Sequence, residues 1–365
     1  MSIVLFLLVL FVLVLVHEWG HFIVAKKTGM RVDEFAIGFP PKLFRIKKGE
    51  TEYSFNLLPI GGFVKIFGEN AEAIETDEDR RDEGRAFYAR PKWAQALVLI
   101  AGISMNIIFA WLLFSTTLLI GVPQAVDEAT ASDTAELVVV GTLKDAPADG
   151  VLPVGSTITA ATVGGETLTN LTPTTFSGFI SSHGGEAITI SYSHNNAQGE
   201  ATLTPKTGVV SDNPDKAVVG ATLSLVELKR EPLHLALYDG LKMTGNGLVA
   251  ITIGLYDLLR DALLGQADFS SVAGPVGIVG LVGDAASFGL TSLLVFTAII
   301  SLNLAVINLL PFPALDGGRL LFVAIEAITG KQVPSKVTGW TNLVGFVLLM
   351  ILMVAVTYND ILRLL

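Results

Sequence analysis

Two histidines and a glutamate lie close together in the stretch His17-Glu18-Trp19-Gly20-His21, at the end of an apolar run. Histidines four residues apart project from one face of a helix, so both imidazoles can bind a single metal ion. Glu18, between them, can take a proton from a water molecule and so act as a general base. The spacing therefore predicts a zinc-dependent hydrolytic site, with His17 and His21 as metal ligands and Glu18 as the catalytic residue.

A catalytic zinc site usually has three protein ligands, and this sequence limits the choice of the third. The chain has five histidines and no cysteine. The three histidines outside the motif lie in or near a segment that we expect on the opposite side of the membrane: His183, His194 and His234. The third ligand should therefore be a carboxylate at the end of another span. Asp316 fits best, because it follows an apolar, proline-broken run. Glu326 is the alternative ligand, but it lies near Lys331 and could form an ion pair instead.

The composition is that of a membrane protein: 51% of the 365 residues are hydrophobic, 16% are charged and the mean hydropathy is +0.60. A net charge of −10 argues against a nucleic-acid-binding protein, which normally carries a basic patch. Four apolar stretches have the length of a membrane span: residues 2–25, 94–122, 290–313 and 337–357. We expect the first to be retained, because it lacks a basic leading region and cleavage after it would destroy the histidine motif.

Lysine and arginine are distributed unevenly among the connections between these stretches. Residues 26–92 are rich in both, whereas residues 123–228 contain only Lys144, Lys206 and Lys216. Because basic connections are retained on the cytoplasmic side, we expect residues 26–92 to be cytoplasmic and residues 123–228 to lie outside. The connection around residues 319–336 is basic again, so we expect both termini outside and the metal site toward the cytoplasm.

These segments predict a polytopic α-helical membrane protein with about four transmembrane helices, a membrane-associated β-hairpin or sheet, and one extracytoplasmic α+β domain. Its parts are an N-terminal membrane half at 1–125, the α+β domain at 126–230, a helical connector at 231–289 and a C-terminal membrane half at 290–365. Strand-like runs place the hairpin region at residues 35–70, and they lie at 43–46, 53–57 and 62–67. In the α+β domain we expect a helix at 174–181 and strands at 138–140, 158–161, 187–192 and 201–203. The connector segment 233–264 is open to two interpretations, on the membrane surface or embedded in the membrane.

Four stretches, with their order and their placement relative to the spans, resemble the site-2 protease family of intramembrane zinc metalloproteases, in its bacterial RseP-like branch. They are His17 to His21, Gly61 to Lys65, Gly274 to Ile278 and Asn308 to Gly318. The stretch Ala101 to Asn106 is also similar to the second-span motif of that family. It has Ile103-Ser104 where relatives often have proline.

The resemblance implies a role for each residue of the predicted site. His17, His21 and Asp316 would bind Zn²⁺, and Glu18 would be catalytic. Asn308 would contact the substrate, which agrees with its capacity to donate a hydrogen bond to a substrate carbonyl or developing oxyanion. The third ligand expected from the histidine count and the one implied by the family are thus the same residue.

The resemblance also implies how a substrate would be held. The hairpin would be membrane re-entrant, and Gly61, Gly62, Phe63 and Val64 would present a strand edge to an extended substrate. A transmembrane helix would have to unwind first, because a helix hides its own peptide bonds.

The α+β domain resembles a PDZ domain over the stretch Asp145 to Ser156. Ser156 stands where an acidic residue is usual, and there is room for one such domain where some relatives carry two. We expect this domain either to bind peptides or to act as a size filter that admits substrates already trimmed of a bulky outer domain.

The whole pattern predicts a zinc-dependent intramembrane endopeptidase acting in regulated intramembrane proteolysis. It would cleave transmembrane segments of single-span membrane proteins, such as an anti-sigma factor or remnant signal peptides. We expect a multi-pass protein of the bacterial cytoplasmic membrane, whose partners are these substrates and the lipid bilayer, with no nucleic acid and an undetermined oligomeric state. The alternative is a catalytically inactive membrane binding protein or chaperone that holds partners through its PDZ-like domain.

Overall fold

The computed structural model describes residues 2–69, 77–194, 197–209, 216–266 and 273–364. The chain divides into two compact units. The helical unit consists of Met1–Thr116, Leu233–Ala286 and Ser292–Leu365, and the sheet unit consists of Thr117–Pro232 and Ser287–Thr291.

The helical unit begins with helix α1, Ser2–Lys27, which is rich in leucine and valine. Lys26 and Lys27 lie in its last turn, where a helix favours positive charge. The chain then turns at Gly29, whose φ of 77° is left-handed and suits glycine. Two strands follow, β1 Val32–Lys48 and β2 Thr51–Ile66.

Strands β1 and β2 are long enough to pair with each other more than once. The partners are residues 42–48 with 51–56 across the turn, 34–39 with 52–58, and 32–37 with 62–66. Among the described strands, only β1 pairs with residues 62–66, so these residues form one outer edge of the sheet. Two of the short runs predicted from the sequence, 53–57 and 62–67, are therefore parts of the single strand β2.

A short helix, α2 Asp77–Arg81, precedes the long helix α3, Lys92–Ile120. A buried apolar cluster joins α1, the sheet and α3, and it includes Ala25, Met30, Val32, Ile66, Val98 and Leu99. The cluster ties the histidine-bearing helix to both of its neighbours.

In the described residues of the sheet unit there are seven strands and helix α4, Pro173–Ser182. The strands are β3 Val122–Val126, β4 Glu136–Thr142, β5 Thr157–Val163, β6 Glu166–Leu168, β7 Ile188–His194, β8 Ala197–Leu203 and β9 Ala221–Lys229. They pair antiparallel in the order β3-β9-β4-β5-β7-β8, with β6 beside β5. Helix α4 starts at a capping box of Thr172 and Thr175, and Phe176, Phe179 and Ile180 join the buried core.

Beyond β9, the described part of the chain forms five more helices: α5 Leu233–Leu263, α6 Pro275–Ser287, α7 Leu290–Leu309, α8 Asp316–Thr329 and α9 Ser335–Leu364. Helix α5 comes close to α3 because Gly240 has no side chain: a Cβ there would lie 3.0 Å from the backbone nitrogen of Ser115. A Cβ on Gly247 would lie 2.8 Å from Cδ1 of Leu302 on α7. The segment that the sequence left open therefore packs against α3 and α7, and its place on or in the membrane stays a prediction.

Within the described residues, four helices are long and apolar enough to cross a membrane: Ser2–Lys27, Lys92–Ile120, Leu290–Leu309 and Lys336–Arg363. They lie where the sequence predicted apolar spans. The third ends at Leu309 rather than at 313, because Pro311 and Pro313 cannot continue a helix. The second ends at Ile120, and Val122 begins β3 instead of ending the span.

The predicted strands and helix of the sheet unit are confirmed as β4, β5, β7, β8 and α4; β7 begins one residue later and ends two later than predicted, and the others extend beyond their predicted bounds. The sequence prediction missed β3, β6 and β9. Strand β6 has only three residues, too few for a periodic signal. Strand β9 did carry one, because the partly buried Leu223 and the buried Leu225 alternate with polar neighbours.

Candidate metal centre

Three side chains converge in the helical unit. His17 and His21 on α1 are 9% and 8% exposed, and their Nε2 atoms are 3.1 Å apart. Asp316, the first residue of α8, brings Oδ2 to 3.0 Å from Nε2 of His17 and to 3.3 Å from Nε2 of His21. In the described part of the chain, no other three His, Cys, Asp or Glu side chains meet in this way.

The three atoms fit a zinc ion. Two imidazole nitrogens and a carboxylate oxygen are a common donor set of catalytic zinc sites, which bind such atoms at about 2.0–2.1 Å in a tetrahedron with edges of about 3.3–3.4 Å. The observed separations of 3.0–3.3 Å are close to such edges. A single shared proton could join only two of these three atoms, whereas a metal ion can join all three. Oδ2 of Asp316 is also buried and has no hydrogen bond of standard geometry. A cation among the three atoms would balance the carboxylate.

Helix α3 forms one wall of this site. Nδ1–H of His21 donates to the carbonyl oxygen of Val98 at 2.8 Å, which leaves the lone pair of a neutral ring on Nε2. Gly102 faces both rings, because a Cβ there would overlap Nε2 of His21 and lie 2.8 Å from Cε1 of His17. Gly20 makes the matching approach from α1, where a Cβ would lie 2.5 Å from a carbonyl oxygen of α3. Glycines thus let the two helices close around the imidazoles.

A tight turn between α7 and α8 presents Asp316. Ala314 adopts a left-handed φ of 73°, and its backbone N–H donates to Oδ1 of Asn342 on α9 at 3.3 Å. A Cβ on Gly317 or on Gly318 would overlap carbonyl oxygens of the preceding turn. The Gly-Gly pair is therefore required for the chain to fold back directly after the carboxylate.

Glu18 lies between the converging side chains and the open edge of the sheet. It lines a cleft together with Gly61 and Gly62, and a Cβ on Gly62 would lie 3.7 Å from Cγ of Glu18. In the sequence it directly follows His17, one of the three converging residues. A group able to accept a proton thus stands beside both the candidate metal ligands and a strand edge.

The remaining predicted contact residues lie on two elements. Phe63 and Val64 continue the open edge of β2, and Phe63 stacks on Phe39 with ring centroids 6.4 Å apart. Asn308 lies in the last turn of α7 and is half-exposed. Its contact with a substrate stays a prediction.

Glu326, the alternative third ligand, does not belong to the converging group. It accepts from Nζ of Lys92 at 2.6 Å and from the backbone N–H of Val333 at 2.8 Å. The sequence suggested an ion pair between Glu326 and Lys331. That partner is wrong, because the carboxylate pairs with Lys92 at the start of α3. Glu326 joins α3 to α8 instead.

Two residues on α3 were part of a motif noted in the sequence without being given a role, Gly102 and Asn106. Asn106 is fully buried, and its Nδ2 lies 3.4 Å from Nδ1 of His17. An amide within an apolar span was the available signal, because polar groups in a span usually have a function.

The chain is similar in sequence to known proteases. The pattern of peptidase family M50 matches residues 5–352. A protein of Clostridium perfringens, named only provisionally as a zinc metalloprotease, is 37% identical over 99% of this chain and 98% of its own. The zinc metalloprotease RasP of Shouchella clausii is 31% identical over 98% of each chain. The regulator of sigma-W protease RasP of Bacillus subtilis is 27% identical over 100% of this chain and 99% of its own.

A solved structure also matches part of the chain. The PDZ domain of the SdrC-like protein from Listeria innocua has 25% identity over 24% of this chain and 92% of that one, with a TM-score of 0.20. The match to the family pattern covers far more, and the relatives named above match almost the full length of the chain. The chain therefore belongs to peptidase family M50, the site-2 protease family, and is a zinc metalloprotease of the membrane.

Proposed function

We propose that this protein is an intramembrane endopeptidase that hydrolyses peptide bonds within the transmembrane segments of single-span membrane proteins. The observation that carries the proposal is the convergence of His17, His21 and Asp316, with two of them on an apolar helix long enough to span a membrane. These three residues would hold the zinc ion. Zinc, when bound, supplies Lewis acidity toward water and toward the scissile carbonyl.

Glu18 is the general base in this proposal. Its carboxylate would take a proton from the attacking water and later deliver a proton to the leaving amine. Asn308 would donate from its amide nitrogen to a substrate carbonyl or to the oxyanion that develops there. The position of Glu18 supports this assignment, because its side chain lines the same small cleft as Gly61 and Gly62 of β2.

The substrate would bind as an added strand along residues 62–66. One side of this segment pairs with β1, and no described strand pairs with its other side. Gly61 and Gly62 lack side chains that would hold a substrate backbone away from Glu18. The substrate's helix would have to unwind before binding, because its peptide groups are otherwise engaged within the helix.

The site and one relative support the proposed substrate class. That relative is named as a regulator of sigma-W, which supports a single-span protein controlling a sigma factor as one substrate. Remnant signal peptides offer the same chemistry, a short transmembrane helix without a bulky outer domain. In both cases the cleaved bond would lie inside the membrane segment.

The decisive experiment replaces Glu18 by Gln. We expect cleavage of a single-span reporter peptide in liposomes to fall by at least about 100-fold, because the base is lost. Zinc content should not change, because the three ligands are intact. Glu136→Gln is the matched control, because Glu136 lies in the sheet unit, where it accepts from Thr157. A wild-type rate for Glu18→Gln would contradict the proposed mechanism.

We further propose that the zinc site lies toward the cytoplasm and that the sheet unit is an extracytoplasmic, PDZ-like domain. The uneven distribution of basic residues supports this orientation. Because the chain has no cysteine, a single cysteine at the exposed position Asn170 or Lys47 can report its side of the membrane. A membrane-impermeant maleimide should label Asn170→Cys in intact spheroplasts, and Lys47→Cys only after permeabilisation. The reverse pattern would contradict the orientation.

A further inference from the structure

His17 and His21 differ in what holds their second ring nitrogen. Nδ1–H of His21 donates to the carbonyl oxygen of Val98 at 2.8 Å. Nδ1 of His17 faces the side-chain amide of Asn106 instead, 3.4 Å from Nδ2. A carbonyl can only accept, so the proton of His21 belongs on Nδ1. The position of the proton on His17 depends on which end of the Asn106 amide faces the ring.

The amide of Asn106 can present either end to His17. The residue is fully buried, and Oδ1 has no hydrogen-bond partner in the described structure. Half a turn of the amide exchanges Oδ1 and Nδ2 without changing its shape. With oxygen toward the ring, Oδ1 accepts from Nδ1–H and the lone pair of His17 lies on Nε2, the atom 3.0 Å from Oδ2 of Asp316. With nitrogen toward the ring, Nε2 would carry a proton aimed at the other two ligands.

The main chain of Asn106 is held in place as well. Ser301 on α7 is fully buried, and its Oγ donates to the carbonyl oxygen of Asn106 at 2.8 Å. Asn106 therefore connects α3 to the ring of His17 on α1 and to α7. This arrangement limits how far the amide can move away from the imidazole.

We propose that Asn106 is a positioning residue of the metal centre. Its amide oxygen accepts a hydrogen bond from Nδ1–H of His17, and this fixes the ring in the tautomer and orientation that bind zinc through Nε2. Val98 does the same for His21 through its backbone. The proposal rests on the proposed assignment of His17 as a zinc ligand.

The test measures zinc affinity rather than cleavage. Asn106→Leu removes the acceptor and keeps a similar volume. Loss of an acceptor behind a metal-bound histidine costs about 10–100-fold in metal affinity, so we expect a loss of this size when a chelator competes for zinc with the purified full chain. The visible spectrum of the Co²⁺-loaded protein should change, and the unfolding temperature of the zinc-free protein should not. Asn106→Asp, which keeps an acceptor, should restore most of the affinity.

Three further variants make the result specific. Asn303→Leu is the matched control, because the amide of Asn303 donates within its own helix to the carbonyl of Ile299 at 2.9 Å, and we expect wild-type affinity. His17→Ala should lose zinc; retention of zinc there would overturn the ligand assignment and this inference with it. If His17→Ala loses zinc while Asn106→Leu keeps wild-type affinity, only the positioning role is overturned. Equal losses in Asn106→Leu and Asn106→Asp would also overturn it. Asn106→Ala carries the same prediction if the leucine variant does not fold.

Discussion

Two carboxylates of the helical unit, Asp360 and Asp316, lie in contrasting surroundings. Asp360 is 3% exposed near the end of α9, and its Oδ1 and Oδ2 accept from the backbone N–H groups of Gly274 at 3.0 Å and Gly277 at 2.8 Å. These donors belong to the start of α6, where a helix favours an anion. Oδ2 of Asp316 is buried beside two imidazole nitrogens and accepts no hydrogen bond. Backbone N–H groups satisfy one carboxylate, whereas the other faces two imidazole nitrogens and forms with them a donor set that a cation would complete.

The contrast separates a structural motif from a functional one. A Cβ on Gly274 would lie 2.6 Å from Oδ2 of Asp360, and one on Gly277 would lie 3.1 Å from Oδ1. The glycines of the stretch Gly274 to Ile278 therefore make room for the Asp360 carboxylate, which holds α9 to α6. The glycines after Asp316 allow a turn that leaves that carboxylate facing two histidines.

The largest effect is expected for Asp316→Asn. The amide is a weaker ligand and carries no charge, so we expect loss of zinc and a fall in cleavage of about a thousand-fold, equivalent to about 4 kcal/mol. In the zinc-free protein the carboxylate still faces both imidazoles, at 3.0 and 3.3 Å, so unfolding with chelator present measures the part of the effect that does not come from zinc. Metal analysis, cleavage rate and unfolding with chelator present measure these quantities. If Asp316→Asn were less stable but still bound zinc, Asp316 would be a structural carboxylate like Asp360, and the contrast between the two would be wrong.

Gly102→Ala should have the next largest effect. The added Cβ would overlap Nε2 of His21, so the rings must shift and zinc affinity should fall by about 10–100-fold, as for other disturbances of ligand orientation. Gly254→Ala is the matched control, because a Cβ at that helical glycine meets nothing within 4 Å. A chelator competition comparing the two variants is the measurement. Equal zinc affinities would show that the close approach of α3 does not shape the site.

Asp360→Asn should show the opposite pattern to Asp316→Asn. The amide keeps one acceptor but places an N–H group against a backbone donor, so we expect a loss of about 1.5–3 kcal/mol in the free energy of unfolding. Zinc content and the cleavage rate per folded molecule should stay at wild-type values. Denaturant unfolding in detergent, followed by metal analysis of the folded fraction, tests this prediction. Loss of zinc from folded Asp360→Asn would show that the two carboxylates are coupled.

The smallest effect is expected at a third carboxylate, Glu50, in the turn between β1 and β2. Hydrogen bonds from Arg85 and Lys26 lower its pKa from 4.5 to about 2. Since the folded-state pKa is the lower one, the stabilisation is complete above pH 4.5 and is lost as the pH falls through about 2. Because the pair is partly exposed, Glu50→Gln should cost less than about 1 kcal/mol near neutral pH. Unfolding of both proteins across this pH range should show the difference shrinking with acid; a constant difference would contradict the ion-pair origin.

Much of the candidate site could be predicted without coordinates, because its signals are local. The spacing of His17, Glu18 and His21 places two imidazoles on one helix face. The apolar stretches predicted where helices long enough to span a membrane lie, since a bilayer core requires about 20 apolar residues. The count of histidines and the distribution of basic residues pointed to Asp316 through composition and topology, and the structure brings its carboxylate beside both imidazoles.

What tertiary structure decided involves groups without a sequence signal of their own. Every residue has a backbone carbonyl, so the sequence does not show that the one of Val98 accepts from His21. Gly102 matters only because α1 lies against it. Asn106 acquires a role from His17, which lies 89 positions away in the sequence. The sequence allowed Glu326 as a metal ligand, whereas in the structure its carboxylate pairs with Lys92.

The sequence by itself thus indicated the membrane class and the metal-binding residue types, and its predicted topology pointed to a carboxylate as the third ligand. The structure decided that β2 runs unbroken to an open edge beside Glu18, and that the two histidines have different partners behind them. The physical reason is that spacing along a helix encodes which side chains share a face. Contacts between helices depend on how closely their backbones approach. A glycine permits a close approach, but its presence in the sequence does not show which helix lies against it.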